Sequence, residues 1–145
     1  TNALVMDIFA GTGALGLEAI SRGASEAVFI ESDREAISAL RGNIARLKVG
    51  DVTTIIEGSI LSLHRFAPRQ ASLVLMDPPY NSGLAVPALD QLHKCGWIGG
   101  KTLIVVECEK SEQVEIPDWL EMLDNRRYGK ARINFLRPGK SGELN

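Results

Sequence analysis

The sequence predicts an α/β fold built on a mostly parallel sheet, and three observations carry that expectation. Short apolar runs alternate with longer segments of helical period along the chain. The runs in its middle are continuously apolar rather than alternating, as in strands covered on both faces. A glycine-rich turn joins the first run directly to the first helical segment.

Each element follows in order. Residues 4–9 read as the first strand, 10–13 as a tight turn, and 14–22 as a helix stopped by Gly23. A second strand over 27–30 ends at Glu31. The clearest helix spans 34–48: Asp33 is placed to cap it, and Ile37, Leu40, Ile44 and Leu47 form one apolar stripe. Residues 52–56, 73–76 and 103–106 read as buried strands, with helices around 59–66 and 85–94 between them. Pro87 is acceptable in a first helical turn. Between 121 and 136 no helical stripe appears. Ala131, Ile133 and Phe135 alternate with Arg132 and Asn134, which predicts a terminal antiparallel strand pair. One domain over 1–137 is expected, followed by a polar tail over 138–145.

Composition bounds the chemistry. With 145 residues, 45% hydrophobic and 23% charged, the chain is sized and composed for a single core, excluding disordered and fibrous classes. A net charge of −2 gives no global sign of a nucleic-acid partner. Cys95 and Cys108 lack metal-ligand spacing and read as packed thiols. His64 and His93 have no ligand partner at the usual spacing and read as surface or half-buried residues, so no metal is expected. Trp97 reads as a plug at the sheet edge. No apolar run approaches bilayer length, so a membrane role is not expected and a cytoplasmic location is.

Gly11-Thr12-Gly13-Ala14-Leu15-Gly16 fits the G-x-G-x-x-G pattern between a strand and a helix, and Glu31 follows twenty residues after Gly11. Glycines there let a ligand approach backbone N–H groups, and an acid at the next strand's tip can accept hydrogen bonds from ribose hydroxyls. On this pattern alone a dinucleotide is the first candidate. Asp7, four residues before Gly11, argues otherwise. Its charge would repel a pyrophosphate and attract an ammonium and a sulfonium. That selects S-adenosylmethionine as the expected cofactor.

The second motif is Asp77-Pro78-Pro79-Tyr80, directly after the run 73–76. Two prolines make a rigid loop with two fewer N–H donors, at the strand edge where open α/β sheets bind ligands. An exocyclic amino group of a base is a poor nucleophile because its lone pair is delocalised into the ring. The Asp77 carboxylate and the Pro78 carbonyl could accept its two hydrogens, and Tyr80 could stack the base for roughly 1–3 kcal/mol. Alignment for in-line displacement would then supply the rate, with no metal.

These blocks together resemble a known family. The run from Asp7 to Ala19 with Ser21-Arg22-Gly23-Ala24, then Asp77-Pro78-Pro79-Tyr80, Gly83-Leu84 and Gly96-Trp97-Ile98, is similar to the bacterial small-subunit (16S) ribosomal RNA guanine-N2 methyltransferases. The resemblance implies a three-layer Rossmann-like methyltransferase fold with a seven-stranded, mostly parallel sheet and an antiparallel C-terminal strand. It also implies methyl transfer to N2 of a guanine, with ribosomal RNA or an assembling small subunit as partner. By position, Asp7, Ala10, Gly11, Gly13 and Glu31 would bind S-adenosylmethionine, and Asp77, Pro78, Pro79 and Tyr80 would hold the guanine amino group. Ser59 stands where the family places an acid toward the adenine amino group, so that contact falls to Ser59 or the Ile60 backbone N–H. The family's basic N-terminal arm is expected to be absent here.

Three alternatives stay open at this point. An adenine-N6 methyltransferase would use the same tetrapeptide, an oxidoreductase the same glycine turn, and a non-catalytic RNA-binding module the fold alone. Arg126, Arg127, Lys130, Arg132, Arg137 and Lys140 fall in a stretch without an acid. They read either as a solvated strand edge or, chiefly Arg126, Arg127, Lys130 and Arg132, as RNA phosphate contacts.

Overall fold

A computed structural model describes residues 2–139. Seven strands form one sheet in the order β3-β2-β1-β4-β5-β7-β6. They are β1 (Leu4–Ile8), β2 (Glu26–Glu31), β3 (Thr53–Glu57), β4 (Leu73–Met76), β5 (Leu103–Glu109), β6 (Leu120–Tyr128) and β7 (Ala131–Pro138). β1 to β5 pair in parallel, while β7 runs antiparallel to both β5 and β6. The expected Rossmann-like sheet and its reversed C-terminal strand are therefore present. The chain switches direction of travel at β1, stepping outward to β3 on one side and β4 on the other. Such a switch point opens a crevice at the C-terminal strand edge, and both sequence motifs leave their strands there.

Helices cover both faces. α1 (Ala14–Ser21) and α2 (Arg34–Leu47) enclose Leu17, Ala27, Phe29, Leu40 and Ile44 on one side. On the other, α3 (Ala85–Lys94) packs Ala88, Leu89 and Leu92 onto Leu4, Met6, Ile8, Val74 and Met76. The period-2 alternation of β1 sorts its side chains between these cores. Met6 and Ile8 join the α3 side, and Asp7 turns the other way.

Four expectations are corrected. The helix expected around 59–66 is only a 3-10 turn over Ile60–Ser62. Beyond it, the Arg65 carbonyl accepts from Trp97 Nε1 and the Ala67 N–H donates to the Cys95 carbonyl, so partners near the end of α3 replace a helical ladder. Leu47 is 52% exposed and leaves the stripe of Ile37, Leu40 and Ile44, because α2 ends there with Lys48 in a left-handed conformation. Phe9 lies outside β1 with φ 60°, already part of the turn. β7 continues through Pro138, and residues 140–145, including Lys140, lie outside the described residues. Trp97 is a core residue, 2% exposed. Among the described residues no helix is long and apolar enough to cross a membrane.

Candidate active site

The glycine turn is held from below and from the side. Gly13 caps α1 with φ 84°, and a Cβ on it would stand 2.2 Å from Leu40 Cδ1. At Gly16 a Cβ would lie 2.5 Å from the Phe29 ring, so α1 sits close on β2 only because a hydrogen occupies that position. Gly11, with φ 59°, differs: a Cβ there would meet nothing within 4 Å. Its backbone faces open space, as ligand approach requires. The Gly11 N–H donates to Glu31 Oε1 at 2.7 Å, and the N–H groups of Ser32 and Asp33 donate to Glu31 Oε2 at 2.9 and 2.8 Å. Ala10 joins the same seam by donating to the Ile30 carbonyl.

Asp7 lies behind this turn, 3% exposed, with Oδ2 accepting from the Gly16 N–H at 3.0 Å. Burial pushes its pKa up to about 7, against the Gly16 hydrogen bond; the Asp77 and Glu31 carboxylates push it the same way as burial. The charge therefore sits beneath the turn at a pH-sensitive position.

Two of the cavities that border the Asp-Pro-Pro-Tyr loop meet at Asp77. The first, about 380 Å³, has Phe9, Ile30, Glu31, Ser59 and Ile60 on its wall. Apolar side chains alternate there with a carboxylate and a hydroxyl, a lining suited to an adenosine. Ser59 Oγ is engaged by the Leu61 N–H at 3.1 Å, and Ile60 is buried. The second cavity, about 520 Å³, is lined by Asp77, Pro78, Pro79, Tyr80, Glu107, Glu112, Tyr128 and Lys130, among others. Asp77 and Pro79 belong to both walls. Tyr80, 60% exposed, and Tyr128, 56% exposed, border the second cavity with solvent-facing rings.

Partial burial raises the Asp77 pKa to about 6, and the neighbouring Glu107 carboxyl, within hydrogen-bonding reach, raises it further in the same direction, as does Glu112. The register explains the pairing. Met76 and Val106 are the last partners of the β4–β5 ladder, so Asp77, the first residue past β4, follows in register with Glu107 of β5. Glu112 also clamps the loop: its Oε2 accepts from the Asn81 N–H at 2.9 Å and its Oε1 from the Glu109 N–H at 3.3 Å. Glu107, Glu112 and Tyr128 were not expected at the site. Only Glu107 left a signal, as the acid that breaks the apolar run of β5 at the register of Asp77.

The basic residues separate into two kinds. Arg126 pairs with Asp124 on its own strand β6 at 2.7 Å, whereas Arg132 of β7 donates to Asn125 Oδ1 on β6 and to the Lys110 carbonyl, so both guanidinium groups are already engaged. Arg127 and Lys130 line a further surface cleft with Lys110 and Arg132, and Lys130 also borders the second cavity. No group of three or more His, Cys, Asp or Glu suited to a metal occurs among the described residues.

Comparison with known proteins follows the same lines. Residues 1–137 match the family described as conserved hypothetical protein 95. Ribosomal RNA small subunit methyltransferase D of Escherichia coli is 38% identical over 108 residues, covering 74% of this chain and 54% of that protein. Its Haemophilus influenzae namesake is 32% identical over 127 residues, covering 86% and 66%. This chain thus spans roughly half to two thirds of their length. A solved Escherichia coli structure, described as a candidate methyltransferase yhhF, superposes with a TM-score of 0.80 at 32% identity, covering 95% of this chain and 76% of that one. With residues 1–137 matched, a span that includes the glycine turn and the Asp-Pro-Pro-Tyr loop, the chain belongs to the conserved hypothetical protein 95 family, alongside the small-subunit rRNA methyltransferase D proteins.

Proposed function

We propose that the chain transfers a methyl group from S-adenosylmethionine to N2 of a guanine in small-subunit ribosomal RNA. The observation that carries this reading is the shared wall: Asp77 and Pro79 border both the adenosine-sized cavity and the cavity beside Tyr80. A donor bound in one and a base bound in the other would meet at Asp77. The names of the relatives support ribosomal RNA as the substrate class.

The residues fit the cofactor. Glu31 and the open Gly11 backbone would take the ribose, Ser59 and Ile60 the adenine, and Asp7 would hold the turn's field negative toward a cationic amino-acid end, with Ala10 and Gly13 shaping the turn. When bound, S-adenosylmethionine would supply an electrophilic methyl carbon whose bond pair stays with sulfur. The chain's own work is on the nucleophile. Asp77 and the Pro78 carbonyl accept the two amino hydrogens and aim the nitrogen lone pair away from the ring, while Tyr80 stacks the unstacked base. The nitrogen that gains a methyl must lose one proton. Asp77, with a pKa near 6, is ionised at neutral pH and close enough to that value to accept it.

The test is to incubate the chain with methyl-labelled S-adenosylmethionine and small-subunit RNA, free and in particles, then digest to nucleosides. Label in N2-methylguanosine is the expected result. Label in N6-methyladenosine would replace guanine with adenine as the target, and no label in either preparation would overturn the reading.

A further inference from the structure

The methyl-transfer reading leaves one question open at the second cavity: an Asp-Pro-Pro-Tyr loop can present the amino group of guanine or of adenine equally well. The cavity itself differs in what it offers the rest of the base. One residue past the Met76–Val106 pair, the Glu107 carboxyl of β5 stands beside Asp77, half-buried and within hydrogen-bonding reach of it. Neighbouring strands lie about 4.8 Å apart, so the two carboxyls present a row of acceptors to whatever enters. None of the ion pairs among the described residues involves either of them. Lys130 borders the same cavity, Glu112 engages the Asn81 and Glu109 N–H groups, and Tyr80 and Tyr128 supply flat apolar faces.

Such a row fits one base edge. Guanine carries N1–H next to its N2 amino group, giving adjacent, parallel donors. Adenine and cytosine carry a ring-nitrogen lone pair next to their amino groups, which would face a carboxylate lone pair. Resting on the methyl-transfer reading, we propose that Glu107 is the specificity-determining residue: it accepts the N1–H of the target guanine while Asp77 holds the N2 amino group. Asp77 serves the reacting nitrogen, and Glu107 reads the atom next to it.

A substrate with the reacting amino group but without N1–H separates the two roles. Once the methylated position is mapped by mass spectrometry, the guanine there is replaced by 2-aminopurine through splinted ligation, and both RNAs are assayed. Wild type is expected to prefer guanine by about tenfold to a hundredfold in kcat/KM. Glu107→Gln, whose amide can donate to the bare N1, is expected to shrink that ratio at least tenfold. Glu107→Asp, which keeps the charge, retains the preference. Thermal unfolding of each variant shows whether the fold persists. An unchanged ratio in Glu107→Gln overturns the proposal, as does an equal loss on both RNAs in a folded variant. Wild type that methylates adenine, or no base at all, overturns the underlying reading instead.

Discussion

The backbone N–H of Gly11 donates to the carboxylate of Glu31 across twenty residues of sequence, at 2.7 Å. Together with the Ser32 and Asp33 N–H groups on its other oxygen, this makes Glu31 the fastener between the glycine turn and the tip of β2. A carboxylate so occupied holds the turn in shape before any ligand arrives, and its Oε1 keeps lone-pair capacity for a hydroxyl.

Glu31→Ala should therefore fail in two ways. Three backbone donors lose their acceptor, which is expected to cost about 1–3 kcal/mol of stability where water cannot fully replace it. Binding of S-adenosylhomocysteine should fall at least tenfold. Denaturant unfolding and isothermal titration measure the two losses separately. A variant that binds normally would remove Glu31 from the cofactor site.

The glycines of the turn should also separate by mechanism. Gly16→Ala drives a methyl into the Phe29 ring and is expected to cost about 1–3 kcal/mol by overpacking, with binding affected only through the fold. Gly11→Ala has room for its methyl, so its stability cost is confined to the left-handed backbone, about 1–2 kcal/mol. The methyl would nonetheless project where a ligand must approach, and cofactor affinity should drop more than stability does. Melting curves with and without S-adenosylhomocysteine would show the contrast.

The parts of this molecule legible in the sequence are those governed by local chemistry. The strand runs, the Asp33 cap, the glycine turn and the proline loop each carry their geometry in consecutive residues, and the turn and loop share one strand edge because parallel strands all end there. What escaped depends on contacts distant in sequence. Residues 59–66 have an apolar spacing that suits a helix, yet the Leu63 and Arg65 carbonyls are taken by Gln91, Cys95 and Trp97, in and just after α3, and the next N–H, of Ala67, donates to the Cys95 carbonyl. Glu107 acquires meaning only through its register with Asp77, thirty residues earlier, and Tyr128 only because the β6–β7 hairpin folds back to the cavity rim. The run of cations from Arg126 onward is uniform as a sequence; in the fold, Asp124 and Asn125, just upstream, take up Arg126 and Arg132.

Asp7 should make stability depend on pH in an unusual direction. Its folded pKa, about 7, stands above the ordinary 3.8, so the folded chain binds the extra proton between those values. Stability from this group is complete below pH 4 and declines as pH rises toward 7. Asp7→Asn keeps an acceptor for the Gly16 N–H and removes the buried charge. Its melting temperature is expected to exceed wild type by about 5 °C at pH 8 and to match it near pH 4. Affinity for S-adenosylhomocysteine should fall in the same variant. Equal melting temperatures at pH 8 would show that Asp7 is not destabilised by its burial.

On the proposed function, Asp77 should set the acid limb of activity. Protonation below about pH 6 would occupy the oxygen needed for the amino hydrogens and the departing proton, so kcat/KM should rise through that pH and then level. Glu107 holds this value up, and Glu107→Gln should shift the inflection to lower pH. Asp77→Asn should lose activity at least a hundredfold while binding S-adenosylhomocysteine normally. A profile flat from pH 5 to 8 would remove Asp77 from the proton transfer.

On the proposed function, Arg127 and Lys130 would be the cations to meet an RNA backbone, because they line the cleft that joins the second cavity through Lys130 and Glu109. Each phosphate contact on single-stranded RNA contributes roughly 0.7 to the slope of log affinity against log salt. The double variant Arg127→Gln/Lys130→Gln should therefore flatten that slope by about 1.4 and weaken binding most at low salt. Arg126→Gln should change it little, because that guanidinium already pairs with Asp124. Filter binding of small-subunit RNA between low and physiological salt gives the slopes directly. If the double variant keeps the wild-type slope, these cations are a solvated strand edge and the RNA enters from another side.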